Sequence, residues 1–108
     1  MSVSSERRLR ERLEVHGRLE GQYSNGGVHR VSGVSKNLSA GGMFAYVEGE
    51  VAEGSYIELV LEIPSQDAPG QSVRMRCVGR VVRRDEPTAD GLQGIAVEFE
   101  NMEIVGES

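Results

Sequence analysis

Gly54-Ser-Tyr-Ile-Glu-Leu-Val-Leu-Glu-Ile63 is the stretch that decides the fold. Ile57, Leu59, Leu61 and Ile63 fall on one side of an extended chain, with Tyr56, Glu58, Val60 and Glu62 on the other. That period of two is the pattern of a half-buried β-strand. After a loop signalled by Pro64, Asp67 and Gly70, Val73, Met75, Cys77 and Val81 alternate with Arg74, Arg76, Val78 and Arg80. The outward Glu58 and Glu62 are expected to pair across strands with Arg74 and Arg76, each pair contributing roughly 0.2–1 kcal/mol.

Outward from this pair, the same reading continues in both directions. Leu13, Val15 and Leu19 begin a strand ending near Tyr23, and Ser24-Asn25-Gly26-Gly27 is a hairpin signal. The return strand Val28-His-Arg-Val-Ser-Gly-Val-Ser35 alternates imperfectly, which predicts a bulge at Gly33. Met43-Phe-Ala-Tyr-Val47 is a short strand, and a polar turn spans Glu48 to Gly54. Beyond a loop at Asp85–Gly91, Ile95, Val97 and Phe99 close the pattern. Six short strands without a strong internal helix indicate an all-β antiparallel barrel or sandwich.

The chain has 108 residues, 14 glycines, one cysteine and a formal net charge of −5. This length fits a single domain. A lone Cys77 excludes a disulfide framework and a cysteine-based zinc site. No run approaches a membrane span and the N-terminus carries no signal-peptide pattern, so the expected location is the cytoplasm. The charge is unevenly distributed. Residues 1–36 carry seven basic against four acidic side chains, a net +3, whereas residues 37–108 carry five against thirteen, a net −8. An acidic body argues against duplex DNA, which demands many phosphate contacts. A compact arginine cluster beside it suits one small anionic ligand.

Catalysis finds little support. His16 and His29 lie on expected strands among ordinary neighbours, and Gly-x-Ser-x-Gly, Gly-x-Gly and Gly-Lys-Ser/Thr patterns are all missing. Cys77 reads as a small buried hydrophobe. The expectation is a protein without catalytic residues, metal or resident cofactor.

Two features remain. Arg7-Arg8-Leu9-Arg10-Glu11-Arg12 sets four guanidiniums within six residues. Guanidinium pairs with phosphate oxygens in a bidentate fork, matches the O6/N7 edge of guanine and stacks on flat rings. Asn37-Leu38-Ser39-Ala40-Gly41-Gly42 offers an amide, a hydroxyl and two glycines where another molecule can approach the backbone. Each alone is equally a solvated tail or a turn.

Together they resemble the PilZ domain, the bacterial receptor module for cyclic di-GMP. Arg8-Leu-Arg-Glu-Arg12 is similar to its Arg-x-x-x-Arg motif and Asn37-Leu-Ser-Ala-Gly-Gly42 to its Asp/Asn-x-Ser-x-x-Gly motif. Gly54-Ser-Tyr-Ile-Glu-Leu-Val-Leu61, Gly79-Arg-Val-Val-Arg83 and Gly94-Ile-Ala-Val-Glu-Phe99 extend the likeness in order along the chain. Leu9 stands where the family often carries a second arginine, and the chain lacks room after Phe99 for the family's usual C-terminal helix.

The resemblance implies a six-stranded β-barrel over residues 13–100, a flexible arginine-rich N-terminal loop over 1–12 and a short C-terminal tail over 101–108. It also implies cyclic di-GMP as ligand, held by Arg8 and Arg12 with Arg7 and Arg10 assisting, by Asn37 and Ser39, by the surface at Gly41 and Gly42, and by Arg83 stacking from the strand side. The signal would pass to an output protein when the ligand orders the arginine segment. The alternative is a PilZ-like adaptor that binds protein and no nucleotide. Single-stranded nucleic acid is a poor fit, because it asks for aromatic platforms on a basic groove.

Overall fold

The computed structural model describes residues 15–65 and 69–107. They form six strands: β1 (Arg18–Ser24), β2 (Val28–Ser39), β3 (Gly42–Glu48), β4 (Tyr56–Pro64), β5 (Ser72–Arg84) and β6 (Gln93–Glu107). Every neighbouring pair is antiparallel, and the order β1-β2-β3-β6-β5-β4 closes with β4 back on β1. The fold is the all-β antiparallel barrel that the alternation and the family resemblance imply.

The period-two segments build the interior. Ile57, Leu59 and Leu61 of β4 are fully buried, as are Cys77 and Val81 of β5 and Ile95 of β6. Leu19 of β1 and Met43 and Val47 of β3 fill the same core. Each such side chain contributes roughly 1.5–3 kcal/mol by leaving water. On the outside, Arg76 Nη2 lies 2.7 Å from Glu58 Oε1, and Glu62 stands in register opposite Arg74. The hairpin between β1 and β2 turns at Gly26, whose φ of 73° lies in the left-handed region that glycine adopts without strain.

Three boundaries differ from expectation. The first strand starts at Arg18, so Val15, His16 and Gly17 precede it. The bulge in β2 lies between Ser35 and Asn37, not at Gly33. Residues 101–107, expected as a tail, continue β6, because the 13-residue β5 offers a hydrogen-bonding template along its whole length, from Val73 opposite Glu107 to Arg84 opposite Ile95. The arginine-rich loop expected over 1–12 lies outside the described residues.

Ser35 fixes where the chain enters the barrel. Its buried hydroxyl donates to the Val15 carbonyl and accepts the Gly17 N–H at 2.8 Å, while its own N–H donates to the Gly17 carbonyl at 2.8 Å. Replacing Ser35 by alanine strands a buried N–H and a carbonyl. The expected cost is about 1–3 kcal/mol, read as a lower urea midpoint at unchanged m-value.

Candidate functional site

The site is built by one irregularity in β2. Val31 and Ser35 face inward, and Ser35 stands opposite the buried Ala45. The next register pair is Asn37 with Phe44, so Lys36 is the extra residue of a β-bulge. Alternation is thereby shifted by one. Leu38 turns in opposite Met43 and packs on the core, while Asn37 and Ser39 fall on the outer side opposite Phe44 and Gly42. Gly33 has another role: a Cβ there would stand 2.0 Å from the Tyr46 carbonyl oxygen, so the pairing of β2 with β3 at this point needs glycine.

Across the sheet, one outer row runs Asn37, Phe44, Ala96, Arg83, taking one residue each from β2, β3, β6 and β5. Phe44 is 7 % exposed although it belongs to the outer face. Its ring meets Tyr46 edge to face at 5.4 Å and carries the Arg83 guanidinium at 5.6 Å from its centroid. Arg83 is also held by Asp85, Nε to Oδ1, at 3.3 Å. The neighbouring row is Ser39, Gly42, Glu98, Arg80. The Ser39 hydroxyl donates to the Gly42 carbonyl at 3.3 Å.

Asn37, Ser39, Gly41, Gly42 and Arg83 are thus brought to one wall. The two glycines differ in what surrounds them. A Cβ on Gly42 would stand 2.3 Å from the Val97 carbonyl oxygen, whereas a Cβ on Gly41 would meet nothing within 4 Å. Packing of β6 therefore requires Gly42, and Gly41 is the one that leaves open surface. Arg7, Arg8, Arg10 and Arg12 lie outside the described residues. Val15, three residues after Arg12, is fastened to Ser35, two positions before Asn37.

Sequence reading passed over Phe44, Tyr46 and Lys36 as parts of this wall. A signal was present, since the inward residues Val31 and Leu38 are an odd number of positions apart and demand one extra residue between them. Elsewhere, His16 precedes β1, and His29 stacks on Tyr23 with ring centroids 5.1 Å apart. Among the described residues no three His, Cys, Asp or Glu side chains are grouped to hold a metal ion. No helix there is long and apolar enough to cross a membrane. Cys77 lies on the inner face at 1 % exposure, and burial pushes its thiol up to about 11 from 9.0.

Comparison with known proteins gives a consistent fold assignment. The family model described as "PilZ domain" matches residues 6–108. Among solved structures, the Bacillus subtilis inhibitor of motility, MotI/DgrA, superposes with a TM-score of 0.60 at 18% sequence identity, over 88% of this chain and 42% of that one. At that identity the likeness shows the fold alone, and this chain spans less than half the length of its structural neighbour. No curated protein matches significantly.

Two outcomes follow from the packing. Gly42→Ala overpacks β3 against β6 and should cost roughly 1–3 kcal/mol, lowering Tm by several degrees, whereas Gly41→Ala leaves Tm within about 1 °C. For Cys77 the sign is set by a folded pKa raised above the unfolded one. Its contribution is complete below pH 9.0, where both states hold the proton, and is lost as pH rises toward about 11. Urea midpoints measured across that window should fall more steeply for the parent than for Cys77→Ala.

Proposed function

The chain belongs to the PilZ domain family, and on that premise we propose that it is a cytoplasmic, non-enzymatic receptor for cyclic di-GMP. In this reading the ligand orders the N-terminal arginine segment over the barrel and so changes contacts with a partner protein. The observation that carries it is the fastening of Val15 to Ser35 beside the bulge. Arg12 is three residues from that anchor and Arg8 seven, so an extended chain allows about 10 Å and about 25 Å of reach. The tether thus starts both guanidiniums beside the β2 segment that carries Asn37.

The roles follow from side-chain chemistry. Arg8 and Arg12 take phosphate oxygens and guanine O6/N7 edges in bidentate pairs, and Arg7 and Arg10 add charge. Asn37 offers a donor and an acceptor to a base edge. Ser39 offers its hydroxyl once it turns from the Gly42 carbonyl, a bond already long at 3.3 Å. Gly41 leaves the surface open for the ligand to lie on. Arg83, resting one face on the Phe44 ring and held at its edge by Asp85, would stack its other face on a guanine. Binding that neutralises the like charges of residues 7–12 would order them, the disorder-to-order class of switch.

A second reading, an adaptor that binds protein and no nucleotide, draws on Leu9 in the arginine motif and on the Ser39 hydroxyl being engaged within its own turn. Isothermal titration separates the two. The receptor reading expects heat with cyclic di-GMP at tens of micromolar or below, and about tenfold weaker binding, roughly 1.4 kcal/mol, in Arg12→Ala and in Ser39→Ala. Trypsin should cut after Arg7–Arg12 more slowly in the complex than in the free protein. A folded chain that gives no heat sinks the receptor reading in favour of the adaptor. Binding with unchanged cleavage would sink the ordering step alone.

A further inference from the structure

We propose that Lys36, carried to the outer wall by the bulge in β2, is a ligand-contacting residue of this site and takes a phosphate oxygen of the nucleotide across the wall from Arg83. The inference rests on the receptor reading above and adds to it a residue that lies outside both motifs.

In a regular strand Lys36 and Asn37 would point to opposite faces. The register between β2 and β3 passes from Ser35 opposite Ala45 directly to Asn37 opposite Phe44, so Lys36 has no partner on β3. Such a bulge re-aims side chains. Here it sets ammonium and amide side by side on the outer surface. The ammonium lies 5.9 Å from the centroid of the Tyr46 ring. Tyr46 meets Phe44 edge to face, and Phe44 carries Arg83. Lys36, Tyr46, Phe44 and Arg83 are thus joined by successive contacts, with a cation on either side of an aromatic pair. From β2 to β5 the wall spans three interstrand steps, about 14 Å. That width lets a base stack on Arg83 while a phosphate of the central ring lies toward Lys36.

Residue type divides the work. Lys36 is the only lysine beside eleven arginines. An ammonium is a compact point charge with three rotatable donors, suited to a phosphate oxygen rather than to a planar edge. Its present contact, an exposed cation–π pair, is a weak one. A phosphate can therefore draw it away without a large opposing cost. On a chain of net charge −5, a local cation also sets where an anion settles.

Titration of cyclic di-GMP into Lys36→Gln, Lys36→Arg and Arg30→Gln tests the assignment. Arg30 is an exposed cation of the same strand, six residues before the bulge and opposite Gln22. The expected result is five- to twentyfold weaker binding for Lys36→Gln with a shallower salt dependence. Lys36→Arg should stay within about threefold of the parent, and Arg30→Gln should be unchanged, all at parental Tm. Parental affinity and salt slope in Lys36→Gln overturn the inference and leave the receptor reading standing. An equal loss in Lys36→Arg also overturns it, because the bulge rather than the charge is then responsible. No binding by the parent chain overturns both.

Discussion

Closing six strands into one barrel makes each strand tilt, twist and coil to follow the curve. At several glycines the neighbouring strand lies where a side chain would have to stand. A Cβ at Gly33 would stand 2.0 Å from the Tyr46 carbonyl oxygen and one at Gly42 would stand 2.3 Å from that of Val97. The same approach recurs at Gly21 against Glu58 and at Gly79 against Glu98. Where glycine does not provide the bend, a bulge does. Single extra residues stand at Lys36 in β2, Val82 in β5, and Glu100 and Val105 in β6. Val82 and Val105 are 52 % and 49 % exposed, as expected of residues displaced from the pairing pattern. Each bulge also resets which neighbours share a face. The outer wall is thus a consequence of closure, since Asn37 points outward only because Lys36 was inserted before it.

The features legible in the sequence are those that depend on strict alternation. β4 is uninterrupted, so its inner face was visible in Ile57, Leu59 and Leu61, and the Glu58–Arg76 ion pair followed from facing strands. β2 was harder to read because two devices act close together in it. Gly33 attracts the bulge assignment, yet there is no register break at Gly33. The break comes at Lys36, a residue type with no preference for bulges, so only the parity between Val31 and Leu38 betrays it. The end of β6 was illegible for a different reason. Asn101-Met-Glu-Ile-Val-Gly106 contains two bulge-disturbed positions nearby, and Ile104 is 66 % exposed, so no buried face marks it as a strand. Pairing with β5 defines it, and pairing leaves little trace in composition.

The candidate site shows the same division. Asn37, Ser39, Gly41 and Gly42 were legible as a motif because a turn concentrates them within six residues. The order in which the barrel lays strands side by side was not. Phe44, Ala96 and Arg83 come from three separate segments and meet Asn37 in one row only because β3, β6 and β5 are neighbours there. A motif can name the first strand of such a wall. The remaining three are set by topology.

Charge then decides what this wall favours. Several carboxylates of the barrel are answered locally by β5 arginines: Glu58 by Arg76, Glu100 by Arg80 and Asp85 by Arg83. These pairs are solvent-exposed, so each is weak and easily exchanged. Scattered carboxylates offer single charges spread over the barrel, whereas a ligand carrying two phosphates presents its charge in one compact place. On the proposed reading, the acidic body therefore does not work against nucleotide binding. Asp85 holds Arg83 at the edge of the wall. In that proposal the densest anion at hand, a ligand with two phosphates, is what would draw the arginine segment to the wall between Lys36 and Arg83.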